Sequence, residues 1–155
     1  MPNWCENHIN IVASQRKLEE IRLAFENSRL LSYCNPLSGK YHRKEAIQKW
    51  GTKWDIDFKN DVHSFNLDHI DDNYVLFINA NTAWSPPLEA LDALFDQDEV
   101  HSVHCDFHEP MMEFCGLWAN GHKQVLDYHD SELLKLECNE YFVEYWNLDN
   151  VSMDC

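Results

Sequence analysis

The chain has 155 residues, of which 45% are hydrophobic and 13% aromatic, a composition typical of one folded domain and not of a disordered chain. It lacks an apolar run near the roughly 18 residues that span a bilayer, and its start lacks a basic stretch before an apolar one, so we expect a cytoplasmic protein without membrane contact. The formal net charge of −15 disfavours direct contact with the phosphate backbone of nucleic acid.

The charge is unevenly distributed along the chain. Residues 1–59 carry ten Lys or Arg and seven Asp or Glu, a net charge of +3. Residues 60–155 carry two Lys and twenty Asp or Glu, a net charge of −18. Such an acidic block keeps a protein soluble, and it also favours a partner with a basic surface, including a protein that normally binds DNA or RNA.

The first third of the chain predicts a strand, a helix and an irregular insertion. Polar and apolar residues alternate over 8–13, which predicts a strand. Its inward residues are Ile9, Ile11 and Ala13. Ser14 is a good N-cap for the amphipathic helix that follows. That helix places Leu18, Ile21, Arg22 and Phe25 on neighbouring rows. Residues 33–60 then form the insertion, with a short basic helix within 40–50.

The middle of the chain predicts two strands, a helix and a further strand. Alternation over 64–68, an Asp-Asp-Asn turn at 71–73 and a run over 74–80 predict a hairpin. Ser85 is expected to cap a helix that begins at the two prolines after it. Residues 100–108 complete the order β-α-β-β-α-β. This order is typical of the α+β, ferredoxin-like split βαβ sheet.

Two elements remain after this sheet. Segments on either side of Asn120-Gly121 predict an extra β-hairpin over 113–128, because this residue pair favours a type I′ turn. A C-terminal helix is predicted over 131–146, with Ser131 as its cap and Trp146 as a packing residue. The whole chain, 1–155, is expected to form a single domain.

Three motifs centred on Trp lie far apart in the chain: Pro2-Asn3-Trp4-Cys5, Trp50-Gly51-Thr52-Lys53-Trp54-Asp55 and Thr82-Ala83-Trp84-Ser85-Pro86-Pro87. Each places an indole beside residues that are common in exposed turns. They predict an aromatic surface with a polar rim, which suits a ligand site. Alternatively, the indoles attach the insertion to the sheet. The candidate ligand-binding residues in these motifs are Trp50, Lys53, Trp54, Asp55, Thr82, Trp84 and Ser85.

These motifs resemble those of the YubB-like proteins of plasmids and phages, as does Glu109-Pro110 followed by Phe114-Cys115-Gly116. The resemblance implies a ferredoxin-like domain and adds Glu109 to the candidate site. It implies no assigned reaction, and its setting on mobile elements favours an accessory or counter-defence role. The sequence departs from the expected pattern at Met111-Met112, where a glycine and small residues would be expected.

A metal site is considered for His104, Asp106 and His108, which share one face of a predicted strand. Residues four apart on a strand are roughly 13 Å apart, so one ion cannot easily join both imidazoles. We therefore expect these residues to be polar groups on an open sheet face, with no bound metal and no cofactor. The scattered cysteines, without a CxxC pair, are expected to be free thiols.

Two functional hypotheses follow. The first is a non-enzymatic phage or plasmid protein that binds a host protein with a basic surface through its acidic C-terminal part, with counter-defence by nucleic-acid mimicry as one such role. The alternative is a small-ligand or nucleotide binder, or an enzyme, that uses the Trp/Lys motif region. Motifs of nucleophilic triads, phosphate loops and metalloproteases are absent, which favours the first hypothesis.

Overall fold

The structure is a computed structural model that describes residues 3–129, 132, 135–136 and 139–148. Its strands are β1 Trp4–Ala13, β2 Val62–Ile70, β3 Asn73–Ala83, β4 Val100–Glu109, β5 Phe114–Ala119 and β6 His122–Asp127. Its helices within the described residues are α1 Gln15–Glu26, α2 Leu30–Cys34, α3 Arg43–Trp50, α4 Leu88–Phe95 and α5 Glu140–Tyr145. The protein is therefore of the mixed α+β class.

The strands form one six-stranded antiparallel sheet in the order β2-β3-β1-β4-β5-β6. The first strand is interior, with β3 on one side and β4 on the other. Its side chains alternate strictly between buried and half-buried positions along all ten residues. The predicted β2–β3 hairpin and the interior position of β3 are confirmed.

Helices α1 and α4 cover one face of the sheet. Their inner residues join the inward side chains of β1, β3 and β4 in one hydrophobic core. Ser14 caps α1 as predicted, since its Oγ accepts a hydrogen bond of 3.2 Å from the Lys17 N–H. The predicted cap of α4 is wrong. Pro87 is the N-cap residue of α4, and the Ser85 hydroxyl donates to the carbonyl of Gly51 instead.

The extra hairpin is confirmed as β5 and β6, which extend the sheet beyond β4. Its turn residues Asn120 and Gly121 have φ angles of 48° and 91°, as a type I′ turn requires. Within the described residues the C-terminal helix is shorter than predicted and begins at Glu140. The predicted cap Ser131 lies outside the described residues.

Helix α5 lies on the sheet face opposite to α1 and α4. It brings Phe142 and Leu148 into a second, smaller hydrophobic cluster with Cys115, Leu126 and Tyr128. The prediction of an open sheet face beside β4 is therefore wrong, because this part of the sheet is covered. None of the helices in the described part of the chain is long and apolar enough to cross a membrane.

Candidate functional site: the aromatic end

The three Trp motifs meet at one end of the sheet, where β1 begins and β3 ends. Trp4 at the start of β1 pairs with Ala83 at the end of β3, and the Trp84 N–H donates to the carbonyl of Asn3 at 2.7 Å. The ring of Trp54 lies edge-on against that of Trp4, with centroids 6.2 Å apart. Strand β4 also terminates at this end of the sheet, since Glu6 pairs with His108.

Five large exposed side chains lie at this end of the sheet, which we call the aromatic end: Tyr41, Trp54, Trp84, Met111 and Met112. Tyr41 belongs to it because its hydroxyl donates to the carbonyl of Lys53. The two methionines follow β4 directly. A cluster of exposed apolar groups of this kind, rimmed by polar residues, marks an interaction site more often than scattered apolar residues do.

Buried hydroxyl groups fix the backbone beneath the indoles. Thr52 Oγ1 donates to the carbonyl of Ala83 at 2.7 Å, and Thr82 Oγ1 donates to that of Ser85 at 2.7 Å. Together with the bond from Ser85 to Gly51, they join the segment that carries Trp54 to the one that carries Trp84. The predicted site residues Thr52, Thr82 and Ser85 therefore position the indoles and are not themselves a contact surface.

A buried asparagine, which the sequence analysis missed, supports the aromatic end from inside the protein. Asn7 is fully buried, and its Nδ2 donates to the carbonyls of Cys5 and Ala80 and to Thr82 Oγ1 at 3.0, 3.2 and 2.9 Å. The signal was its position, because Asn7 has the same parity as the inward residues of β1. A polar residue there must find hydrogen bonds inside the protein.

Trp84 has an unusual backbone. Its φ angle is 74°, in the left-handed region that bulky residues rarely adopt, and its side chain is 53% exposed. A strained residue of this kind persists only where the surroundings determine its conformation, and such residues cluster at functional sites. Here the surroundings are the hydrogen bonds to Asn3, Thr52 and Ser85 described above.

Lys53 lies between the two exposed indoles. Its ammonium is 3.9 Å from the ring centroid of Trp84 and 5.9 Å from that of Trp54. Both distances lie within the range of cation–π attraction. The structure thus brings together the predicted site residues Lys53, Trp54 and Trp84, with both indoles exposed and Lys53 half-buried.

Two predicted site residues are structural instead. Trp50 is only 2% exposed, and its Nε1 donates to the carbonyl of Asn35 at 2.8 Å, so the expectation of an exposed indole is wrong here. Asp55 accepts hydrogen bonds from the N–H groups of Leu31 and Ser32 at 2.8 and 2.9 Å. It therefore caps the start of α2 from 24 residues away along the chain.

Glu109 is fully buried and orders the loop that carries the methionines. Its two carboxylate oxygens accept from the N–H groups of Met111 and Met112 at 2.9 and 2.8 Å. Burial raises the pKa of the nearby Cys5 thiol, and the Glu109 carboxylate raises it further. Cys5 is therefore a neutral thiol and not an activated nucleophile.

The residues considered for a metal dock α5 instead. Asp106 accepts from the Tyr141 hydroxyl at 2.7 Å, and His108 Nε2 is 2.7 Å from the Tyr128 hydroxyl. The ring of Trp146 packs against His108 with centroids 5.1 Å apart, in agreement with its predicted packing role. Among the described residues no group of three or more His, Cys, Asp and Glu is placed to hold a metal ion.

The four cysteines that the structure describes are buried free thiols, as predicted: Cys5, Cys34, Cys105 and Cys115. The groups of the aromatic end are indoles, a phenol, thioethers and an ammonium, which suit noncovalent contact. Comparison of the chain with protein-family models, with curated proteins and with solved structures finds no match.

Proposed function

We propose that the protein is a non-enzymatic accessory protein that binds a partner protein through its aromatic end. The proposal depends above all on Trp84, a large apolar side chain that is held exposed by a strained backbone. Left-handed geometry costs a non-glycine residue roughly 1–2 kcal/mol, and here it holds an indole of which 53% stays exposed. A side chain kept in this arrangement is explained by a contact that the isolated chain does not make.

The composition of the aromatic end supports a protein partner. Trp and Tyr are enriched among the residues that dominate binding energy at protein interfaces. Methionine side chains adapt to irregular apolar surfaces and are common in binding surfaces. Met111 and Met112 are 72% and 61% exposed, on a loop ordered from below by Glu109. The aromatic end thus combines rigid indoles with adaptable thioethers.

The acidic charge supports a basic partner. The exposed Asp71, Asp72 and Asp98 lie at the end of the sheet opposite to the aromatic end, so their charge acts on a partner over a distance and not by direct contact. With a net charge of −15, the protein attracts a basic surface over a distance and accelerates its association. A host protein that normally binds nucleic acid has such a surface, and a counter-defence role by nucleic-acid mimicry remains our hypothesis.

The order β2-β3-β1-β4 supports the proposal of a ferredoxin-like core, since the β-α-β-β-α-β arrangement yields this order. In that description β5, β6 and α5 are additions to the core. Membership of the YubB-like family is proposed on the Trp motifs and the segment from Glu109 to Gly116.

Site-specific photocrosslinking tests the proposed function. A benzophenone amino acid is placed at position 84, at position 111, or at Leu23, which is 63% exposed on α1 away from the aromatic end. Each variant is irradiated in host lysate, and the captured protein is then purified and its affinity measured. We expect one partner to crosslink from positions 84 and 111 and not from position 23.

The purified partner provides the quantitative test. Trp54→Ala should weaken its binding at least about tenfold, as for an interface hot spot, whereas Leu23→Ala should leave the affinity unchanged. Association should slow as salt rises, because screening reduces the attraction between the opposite charges. Equal crosslinking from position 23, or unchanged affinity in Trp54→Ala, would contradict the proposal.

A small anionic ligand with a planar ring, such as a nucleotide, is the second candidate. The observation that favours it is the half-buried Lys53 ammonium between Trp54 and Trp84, which forms no ion pair within the described part of the chain. A nucleotide that stacks on the indoles should quench Trp fluorescence in the wild type and not in Trp84→Ala. Unchanged emission across a nucleotide screen would exclude this candidate.

A further inference from the structure

The sheet face opposite to α1 and α4 contains a groove that α5 leaves uncovered. It lies across β2, β3 and β1 and has a volume of about 230 Å³. We call it the sheet-face groove; its lining includes His8, Asn10, Ser64, Asn66, Phe77 and Asn79. Apart from Phe77 these are polar side chains with hydrogen-bonding groups, and Phe65 and Ile78 complete the lining.

The strand register arranges these side chains in two rows. In the first row Phe77 is paired directly with Asn10 on one side and with Asn66 on the other. In the second row Asn79 is paired with His8 and with Ser64. Directly opposed residues have Cβ atoms about 4.5–5.5 Å apart, so each row forms a continuous surface. An aromatic ring thus lies between two amide groups.

One buried hydrogen-bonding atom of the groove has no partner. Among the described residues, the Asn79 Oδ1 atom is buried and accepts no hydrogen bond. A buried acceptor without a donor destabilises the folded state, unless a bound molecule supplies the donor. At the same end of the groove, His8 is held by the Tyr145 hydroxyl and by Glu6. The groove therefore combines an ordered wall with an unsatisfied acceptor.

We infer that the sheet-face groove binds an uncharged nucleobase or nucleoside. A planar ring stacks on Phe77, and the amide groups of Asn10 and Asn66 offer a donor and an acceptor each to its edge. The free oxygen of Asn79 accepts from an exocyclic amine. Adenine, cytosine and guanine carry this amine, whereas uracil lacks it, so the groove discriminates against uracil.

The surrounding charge excludes a phosphate group. Asp106 is paired with His8, and Asp68 lies on the same face of β2 as Asn66, two residues further along. Glu6 contacts His8 on its other side. These carboxylates repel an anion, so the nucleoside is a better ligand than its 5′-monophosphate.

Titration of the full chain with adenosine, guanosine, cytidine and uridine, followed by calorimetry, tests this site. We expect adenosine, guanosine or cytidine to bind at least about tenfold more tightly than uridine. The exposed Asn66 can be changed without disturbing the core, and both Asn66→Ala and Asn79→Ala should weaken binding several-fold or more. Leu23→Ala, on the exposed side of α1, serves as the matched control and should leave the affinity unchanged.

Three outcomes would overturn the inference. They are the absence of heat with all four nucleosides at millimolar concentration, equal affinity for all four nucleosides, and tighter binding of a 5′-monophosphate than of its nucleoside. Because the proposed partner is tested at Trp54 and Trp84 and the groove at Asn66 and Asn79, the two proposals fail independently.

Discussion

The ammonium of Lys53 lies 3.9 Å from the centre of the Trp84 ring, although 30 residues separate the two along the chain. The contact exists because Gly51 and Ser85 join the two loops below it. It places a cation on the face of an indole that is itself held exposed. The contact is therefore a property of the assembled aromatic end.

Replacing Trp84 tests whether its backbone is strained. In Trp84→Ala the residue keeps a φ near 74° and hence the cost of left-handed geometry, whereas Trp84→Gly removes that cost. We expect Trp84→Gly to have a free energy of unfolding about 1 kcal/mol above that of Trp84→Ala, measured by urea denaturation. Both variants should lose partner binding. Equal stabilities would mean that the backbone at this position is not strained.

Gly51 is predicted to be intolerant of a side chain. Its φ is 85°, and a Cβ atom there would lie 2.1 Å from the Glu89 carboxylate and 3.0 Å from the carbonyl of Pro86. Gly51→Ala should lower the free energy of unfolding by at least about 1–2 kcal/mol. The control is Gly39→Ala, where a Cβ would meet no atom within 4 Å. A comparable loss in both variants would contradict this account of the turn.

The indoles of the second motif should differ in their effect on stability. Trp50→Ala removes a buried ring and should cost about 3–5 kcal/mol. Trp54→Ala removes a ring that is 37% exposed and should cost roughly 1 kcal/mol or less. Thermal unfolding of the two variants measures the difference. A larger loss in Trp54→Ala would reverse the structural and functional assignments of these residues.

Asn7 should be more important for stability than Asn10, a half-buried asparagine of the same strand. Asn7→Ala leaves Thr82 Oγ1 and two carbonyls without their donor, which should cost about 2–4 kcal/mol. Asn10→Ala changes a half-buried residue on the other face and should cost less than about 1 kcal/mol. Chemical denaturation compares them, and equal losses would show that the Asn7 network contributes little.

His108 should make the stability depend on pH. Burial lowers its pKa from the ordinary value of 6.5, so as the pH falls the unfolded chain takes up the proton before the folded one. The stability is therefore highest above about pH 6.5 and falls as the pH drops toward the lower pKa of the folded state. His108→Gln lacks this contribution. Urea unfolding at pH 7.5 and 5.5 should show a larger loss for the wild type, and equal losses would contradict the prediction.

Local signals in the sequence determined most of the sheet. The alternation along β1, the Ser14 cap and the Asn120-Gly121 turn each depend on residues close together in the chain, and all three are confirmed. The β2–β3, β4–β5 and β5–β6 pairs follow from short antiparallel connections, whereas β1 pairs with β3 and β4, which are distant from it in sequence. These features were predictable because period, cap and turn preferences are properties of a few adjacent residues.

Tertiary structure alone decided which Trp is exposed and what the polar side chains do. Trp50 and Trp54 occur in the same motif, yet only Trp50 is enclosed, because its burial depends on packing against distant elements such as the sheet and α4. Asp55 looks like a surface carboxylate in sequence, and its role is set by N–H groups 24 residues away. Burial and hydrogen bonding depend on partners that are distant in sequence, so the aromatic end was visible as separate motifs but became a surface only in the folded chain.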